Sequence, residues 1–201
     1  MHLYNKNGVS SSLSKPSYSA KWNQGVSTLK IVPTISFRTI LESLRDFETD
    51  MIMTDMQGHD FVAVSSVGSL LKETNVKRLV TEVYTDNVVT YQDVSNDFCR
   101  DWLPHMTKIG YIFEGMFNAL NSDKSFTEGF QNAKEAEATC QKAMASTSKN
   151  KTKPGLNEYN AYWRLESVPA SDGDMSSFYH YGSHSESSPG HQFTDEEYKA
   201  C

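Results

Sequence analysis

Apolar and polar positions alternate with two different periods through the middle of the chain and lose any period at its ends. Thr28-Leu29-Lys30-Ile31-Val32-Pro33 alternates with period two until a proline stops it, the pattern of a short strand. Ser36 then stands as a helix N-cap before Ile40, Leu41, Leu44 and Phe47, which recur at helical spacing. Met51-Ile52-Met53-Thr54-Asp55 is an apolar run that ends in a carboxylate, and Gln57-Gly58-His59-Asp60 after it is turn chemistry. Phe61, Val64, Val67 and Leu71 mark an amphipathic helix with Ser65, Ser69, Lys72 and Glu73 opposite. Val76 to Tyr84 is a β-branched run and a further strand, again with a carboxylate, Glu82, near its carboxyl end.

The alternation continues. Val94, Phe98, Trp102, Met106 and Ile109 predict a helix, and Pro104 inside that pattern predicts a kink or two pieces. Gly110 to Glu114 is a strand candidate. Residues 116–156 then interrupt the order with an Ala- and Glu-rich helix over Phe126 to Ala145, whose thin apolar stripe is Phe130, Ala133, Cys140 and Met144. The basic linker Ser146 to Gly155 follows. Asn160 to Leu165 closes the core as a last strand. Trp102, Trp163, Tyr111 and Tyr162 read as core or edge aromatics. Strands alternating with helices predict an α/β layer sandwich on a largely parallel sheet, with the last two strands free to pair antiparallel at its edge. Ligands of such sheets bind outside the carboxyl ends of the strands, where Asp55 and Glu82 both fall.

Composition narrows the picture. A chain of 201 residues is the length of one domain, at roughly 100–200 residues per domain. Hydrophobic content of 38% is low, and the deficit lies at the two ends. Residues 1–28 are a polar N-terminal segment, 29–165 carry the core, and 166–201 read as a disordered tail. With 19 basic against 25 acidic side chains the net charge is -6, which excludes nucleic acid as the leading partner. No run approaches the roughly 20 apolar residues of a membrane span, so a soluble protein is expected. Cys99, Cys140 and Cys201 contain no C-x-x-C and read as ordinary reduced thiols, favouring a reducing compartment; no metal is expected. The tail histidines His180, His184 and His191 read as composition rather than as ligands, and Asn150-Lys151-Thr152 is a formal sequon.

Asp55-Met56-Gln57-Gly58-His59-Asp60, between a strand and a helix, resembles the Asp-x-Glu-Gly-x-Glu signature of FkbM-type methyltransferases. Val32 to Leu41 is similar to that family's Val-Pro-x-x-x-Leu-Asp-Asp-Leu-Leu segment, and Ser11-Ser12-Leu13 to its earlier Ser-Ser-Leu. Leu79 to Val83, Ile109-Gly110-Tyr111 and Tyr159 to Trp163 resemble its later strands, so the likeness covers roughly residues 9–165. Two departures stand out. Gln57 and Asp60 replace glutamates, and none of the 11 glycines forms the Gly-x-Gly turn with which the family's first strands hold S-adenosylmethionine. The alignment begins after the family's third strand.

The resemblance therefore implies a Rossmann-like class I methyltransferase fold, a three-layer sandwich lacking its first strands, with S-adenosylmethionine as cofactor by resemblance only. It implies an O-methyltransferase acting on a hydroxyl of a small molecule or sugar, or else a silent relative kept as a binding or assembly subunit with a protein partner, or a fragment. Asp55 is the candidate for orienting the acceptor and His59, titrating near neutrality, for the base. Gln57, Gly58, Asp60 and Glu82 are the candidate acceptor-binding residues. Asp55 as a simple helix cap, His59 as a solvated side chain and Glu82 as an internal polar partner remain the alternatives.

Overall fold

The computed structural model describes residues 1–3, 11–15, 28–85, 90–118, 132–145 and 158–170. The chain divides into Met1–Val168 and Pro169–Cys201, and of the second unit only Pro169 and Ala170 are described. The sequon, the linker, the tail histidines and Cys201 lie outside the described residues, as does most of the tail.

Two sheets are formed. The small one pairs β1 (His2–Leu3) antiparallel with β2 (Thr28–Leu29), so the strand expected over Thr28 to Pro33 is shorter and stands apart from the main sheet. The main sheet contains β3 (Met51–Thr54), β4 (Arg78–Tyr84), β5 (Tyr111–Asn118) and β6 (Glu158–Leu165) in the order β3-β4-β6-β5. β3 and β4 are parallel, whereas β6 is antiparallel to both of its neighbours. This corrects the expectation of a largely parallel sheet. The last two strands do pair antiparallel, as their spacing suggested, but the final one is interior and β5 is the edge.

Register assigns the two faces. Ile52, Leu79 and Trp163 align across the sheet, and with Val83, Ala161 and Leu165 they join one apolar core. Because side chains alternate along a strand, Val80, Glu82 and Tyr84 belong to the opposite face. There Arg164 pairs with Glu114 at 2.6 Å, both largely buried.

Every described helix from residue 37 to residue 145 contributes to that single core. α1 (Phe37–Ser43) starts where Ser36 Oγ accepts the Thr39 amide at 3.1 Å, as the sequence predicted, and buries Phe37 and Leu41. The helix expected over Phe61 to Leu71 is broken into α2 (Asp60–Val67) and α3 (Leu70–Glu73) at Gly68, whose φ of 53° no helix contains. The expected break at Pro104 is present: a π-helical turn (Phe98–Trp102) passes into α4 (Leu103–Lys108), and the proline falls in the first turn of α4, where its missing N–H costs nothing. Asp97 caps the π-turn by accepting the Arg100 amide at 2.8 Å. Trp102 and Trp163 stack 6.2 Å apart with Phe98 and Phe113 against them, so the tryptophans and Tyr111 are core aromatics as read, and Tyr162 is buried as well. The described helices thus form one layer, and a third layer is not among the described residues.

α5 (Ala133–Ala145) lies within the helix read over Phe126 to Ala145, whose residues before 132 lie outside those described. It carries the correction to the cysteine reading. Cys140 is joined to Cys99 of the π-turn in a disulfide, two residues separated by 41 positions and brought to a Cα distance of 5.1 Å by the fold. Local spacing motifs cannot reveal such a pair. In the chain-entropy account a loop of that length stabilises the folded state by about 4 kcal/mol.

Candidate functional site

The carboxyl ends of β3 and β4 meet the amino end of β6, and acidic side chains from all three collect there. Parallel pairing sets Thr54 opposite Thr81, so Asp55 and Glu82, one residue later on each strand, come together as the sequence placed them. Antiparallel pairing then sets Glu158 opposite Tyr84.

After β3 the chain turns sharply through Gln57 and Gly58, at φ values of 49° and 91°. Gly58 is required by its neighbour: a β-carbon there would lie 2.3 Å from Tyr91 Cδ2. The buried Tyr91 ring lies against the turn, and its hydroxyl donates to Gln57 Oε1 at 2.7 Å. That bond fixes the orientation of the Gln57 amide. Its Nε2 donates to Asp55 Oδ1 at 2.8 Å and to Glu82 Oε2 at 3.3 Å. A glutamate at 57, the residue of the resembled signature, has no such donor when ionised, and three carboxylates would then meet.

The turn closes on Asp60. This side chain is 0% exposed, and its carboxylate accepts the Met56 amide at 3.1 and 3.3 Å. Asp60 therefore has a local structural role at the start of α2. Asp55 does not cap that helix; it is exposed and engaged by Gln57. His59 precedes the helix without a side-chain capping bond and instead meets Ser14 Oγ through Nε2 at 2.9 Å. Beside it Ser12 Oγ donates to the Gln57 carbonyl at 2.8 Å. The Ser11-Ser12-Leu13 segment of the family resemblance thus lies on the Asp55 to Asp60 turn.

Burial decides the protonation of this group. Glu82 is 2% exposed; burial first, then the charges of Glu158 and Asp60, push its carboxyl up to about 10, although the Tyr84 hydroxyl donates to it. Glu158 is pushed up to about 7 by burial and then by Asp55 and Asp60. Asp60 rises to about 6, chiefly through burial. Burial raises the Tyr84 phenol as well and lowers His59, which is therefore neutral at pH 7. At neutral pH the cluster thus holds a protonated Glu82 in its interior and presents Asp55 to solvent.

The six residues singled out from the sequence, Asp55, Gln57, Gly58, His59, Asp60 and Glu82, occupy one site. Sequence reasoning missed Tyr84, Tyr91, Asn96, Ser14 and Glu158. Tyr84 was within reach, since residues two apart in a strand share a face. Asn96 and Glu158 were not. Asn96 accepts the Trp102 indole at 2.8 Å and donates to the Glu82 carbonyl at 2.9 Å, which ties the site to the helical core.

The glycine turn after β3 has its open side filled by Tyr91, and the Gln57 amide is spent on protein oxygens. Among the described residues no group of three or more His, Cys, Asp or Glu is arranged to hold a metal ion, and no helix is long and apolar enough to cross a membrane. Set against known proteins, the chain matches no family model, no curated protein and no solved structure.

Proposed function

We propose that this chain is an FkbM-type, methyltransferase-like α/β domain that acts by association, as a catalytically silent binding or assembly component with a protein partner. The observation that carries this reading is the self-satisfied site: Gly58 packed on Tyr91, Gln57 bonded to Asp55, Glu82 and Tyr91, and Glu82 buried in its neutral form. β3 adds to the argument, since its outer side has no strand paired to it among the described residues and Met53 on it is 57% exposed. Natural proteins cover or blunt such an edge, and a partner strand does both.

Size exclusion with light scattering on natively purified protein checks this. A complex larger than the 22.6 kDa monomer is expected, and a clean monomer overturns the reading.

One observation favours a second reading, an S-adenosylmethionine-dependent O-methyltransferase acting on a hydroxyl of a small molecule or sugar. The strand order, with β6 antiparallel between β4 and β5 and the Asp-x-Gln-Gly turn at the end of β3, resembles the closing half of a class I methyltransferase sheet. In that reading Asp55 orients the acceptor hydroxyl and the neutral His59 accepts its proton. Calorimetric titration separates the two. The association reading expects no heat from S-adenosylmethionine or its demethylated product at millimolar concentration, and saturable heat transfers the argument to the enzyme.

A further inference from the structure

We propose that the Cys99–Cys140 disulfide is a redox clamp: opening it with a dithiol releases helix α5 from the core while the four-stranded sheet stays folded. Little else among the described residues holds the helix. Of its described side chains Ala136 and Cys140 are buried, Ala133 is half-buried and the others are exposed, including Met144 at 59%. Both buried residues are small, so the apolar area removed from water is a fraction of what the aromatic-rich core removes elsewhere. An isolated helix of 13 residues is itself marginal in water. Among the described residues these holds and the Asn132 side chain, which accepts the Glu135 amide at 3.0 Å, are weak beside the covalent bond.

The anchor point, by contrast, is firmly built without α5. The π-turn that carries Cys99 buries Phe98 and Trp102, and these stack on Trp163 of the interior strand. Its entry is capped by Asp97, and the Trp102 indole is bonded to Asn96. None of these contacts involves α5, so losing the helix leaves them in place.

Access to the two sulfurs is unequal. Cys140 is 2% exposed and Cys99 is only half-buried, so an incoming thiolate attacks Cys99 Sγ. The Sγ–Sγ bond breaks, Cys140 departs as a thiolate and takes up a proton, and a mixed disulfide joins Cys99 to the reductant. The second thiol of the reductant then displaces Cys99, which leaves as a thiol, and the dithiol is oxidised to its own disulfide. Two electrons pass from the dithiol to the cysteine pair.

The test is amide hydrogen exchange on the full chain, oxidised and after incubation with dithiothreitol in native buffer, with thiol alkylation counted by mass. Exchange across residues 133–145 is expected to rise at least about tenfold on reduction, while 78–84 and 158–165 hold within about twofold. The double variant Cys99→Ser, Cys140→Ser should reproduce the reduced pattern, and if it does not fold the reduced natural chain supplies the reading by itself. Unchanged protection of α5, loss of protection across the whole sheet, or a disulfide that resists the dithiol each overturn the proposal.

Discussion

Replacing Gly58 by alanine is expected to destabilise the domain by about 2–5 kcal/mol. Two costs add. The backbone at φ 91° lies outside the regions open to a residue with a β-carbon, which costs about 1–2 kcal/mol. The new carbon would also lie 2.3 Å from Tyr91 Cδ2 and 3.0 Å from Cγ, a clash with a buried ring, and overpacking of this kind costs about 1–3 kcal/mol. The ring cannot swing aside freely, because its hydroxyl is held by Gln57 Oε1 at 2.7 Å. Against a total stability of about 5–15 kcal/mol this is a large loss, readable as a lower urea midpoint at unchanged slope. The two costs separate in a Tyr91→Ala background, where the clash is gone and the alanine penalty should fall to its conformational part. Strict additivity of the two substitutions would show that Tyr91 is not the reason for the glycine.

The same turn shows what a sequence can and cannot disclose. Asp55 and Glu82 sit at strand ends, and that was legible because apolar runs ending in carboxylates mark those ends without reference to anything distant. The Ser36 cap and the break at Pro104 were legible for the same reason, since each is settled within one helical turn. Gly58 was legible as a turn residue, but its partner was not: Tyr91 lies 33 positions later, and only the folded chain brings its ring against the turn. Glu158 belongs to the site because β6 is antiparallel beside β4 and sets it opposite Tyr84. No local pattern distinguishes that insertion from an edge strand. The Cys99–Cys140 bridge was hidden in the same way, being a product of how α5 meets the π-turn. Gly68 is different, since the apolar period runs through it from Phe61 to Leu71, and the period masked a break that its backbone conformation makes.

Between pH 7 and pH 9 the domain should lose about 1.4 kcal/mol of stability per pH unit through Glu82, and Glu82→Gln should remove most of that slope. The folded Glu82 holds its proton up to about 10, whereas in the unfolded chain it releases it near the ordinary glutamate value of about 4.3. Across this window the folded state binds one proton more than the unfolded state, so stability falls as the pH rises. The contribution is fully present below the unfolded value and is lost as the pH climbs to the folded one. Glu158, at about 7, and Asp60, at about 6, act in the same sense but complete most of their loss at lower pH. His59 and His105 are lowered by burial and act in the opposite sense, below their ordinary 6.5, so they do not offset the alkaline slope. Glutamine can occupy the site without an orphaned group: its carbonyl accepts from Gln57 Nε2, and its amide donates to the Tyr84 hydroxyl, which turns to accept. Urea unfolding at pH 7, 8 and 9 reads the slope directly. A flat profile for the unaltered chain would mean that Glu82 is already ionised, held as an anion by the Gln57 amide and the Tyr84 hydroxyl. The interior of the site would then be charged rather than neutral.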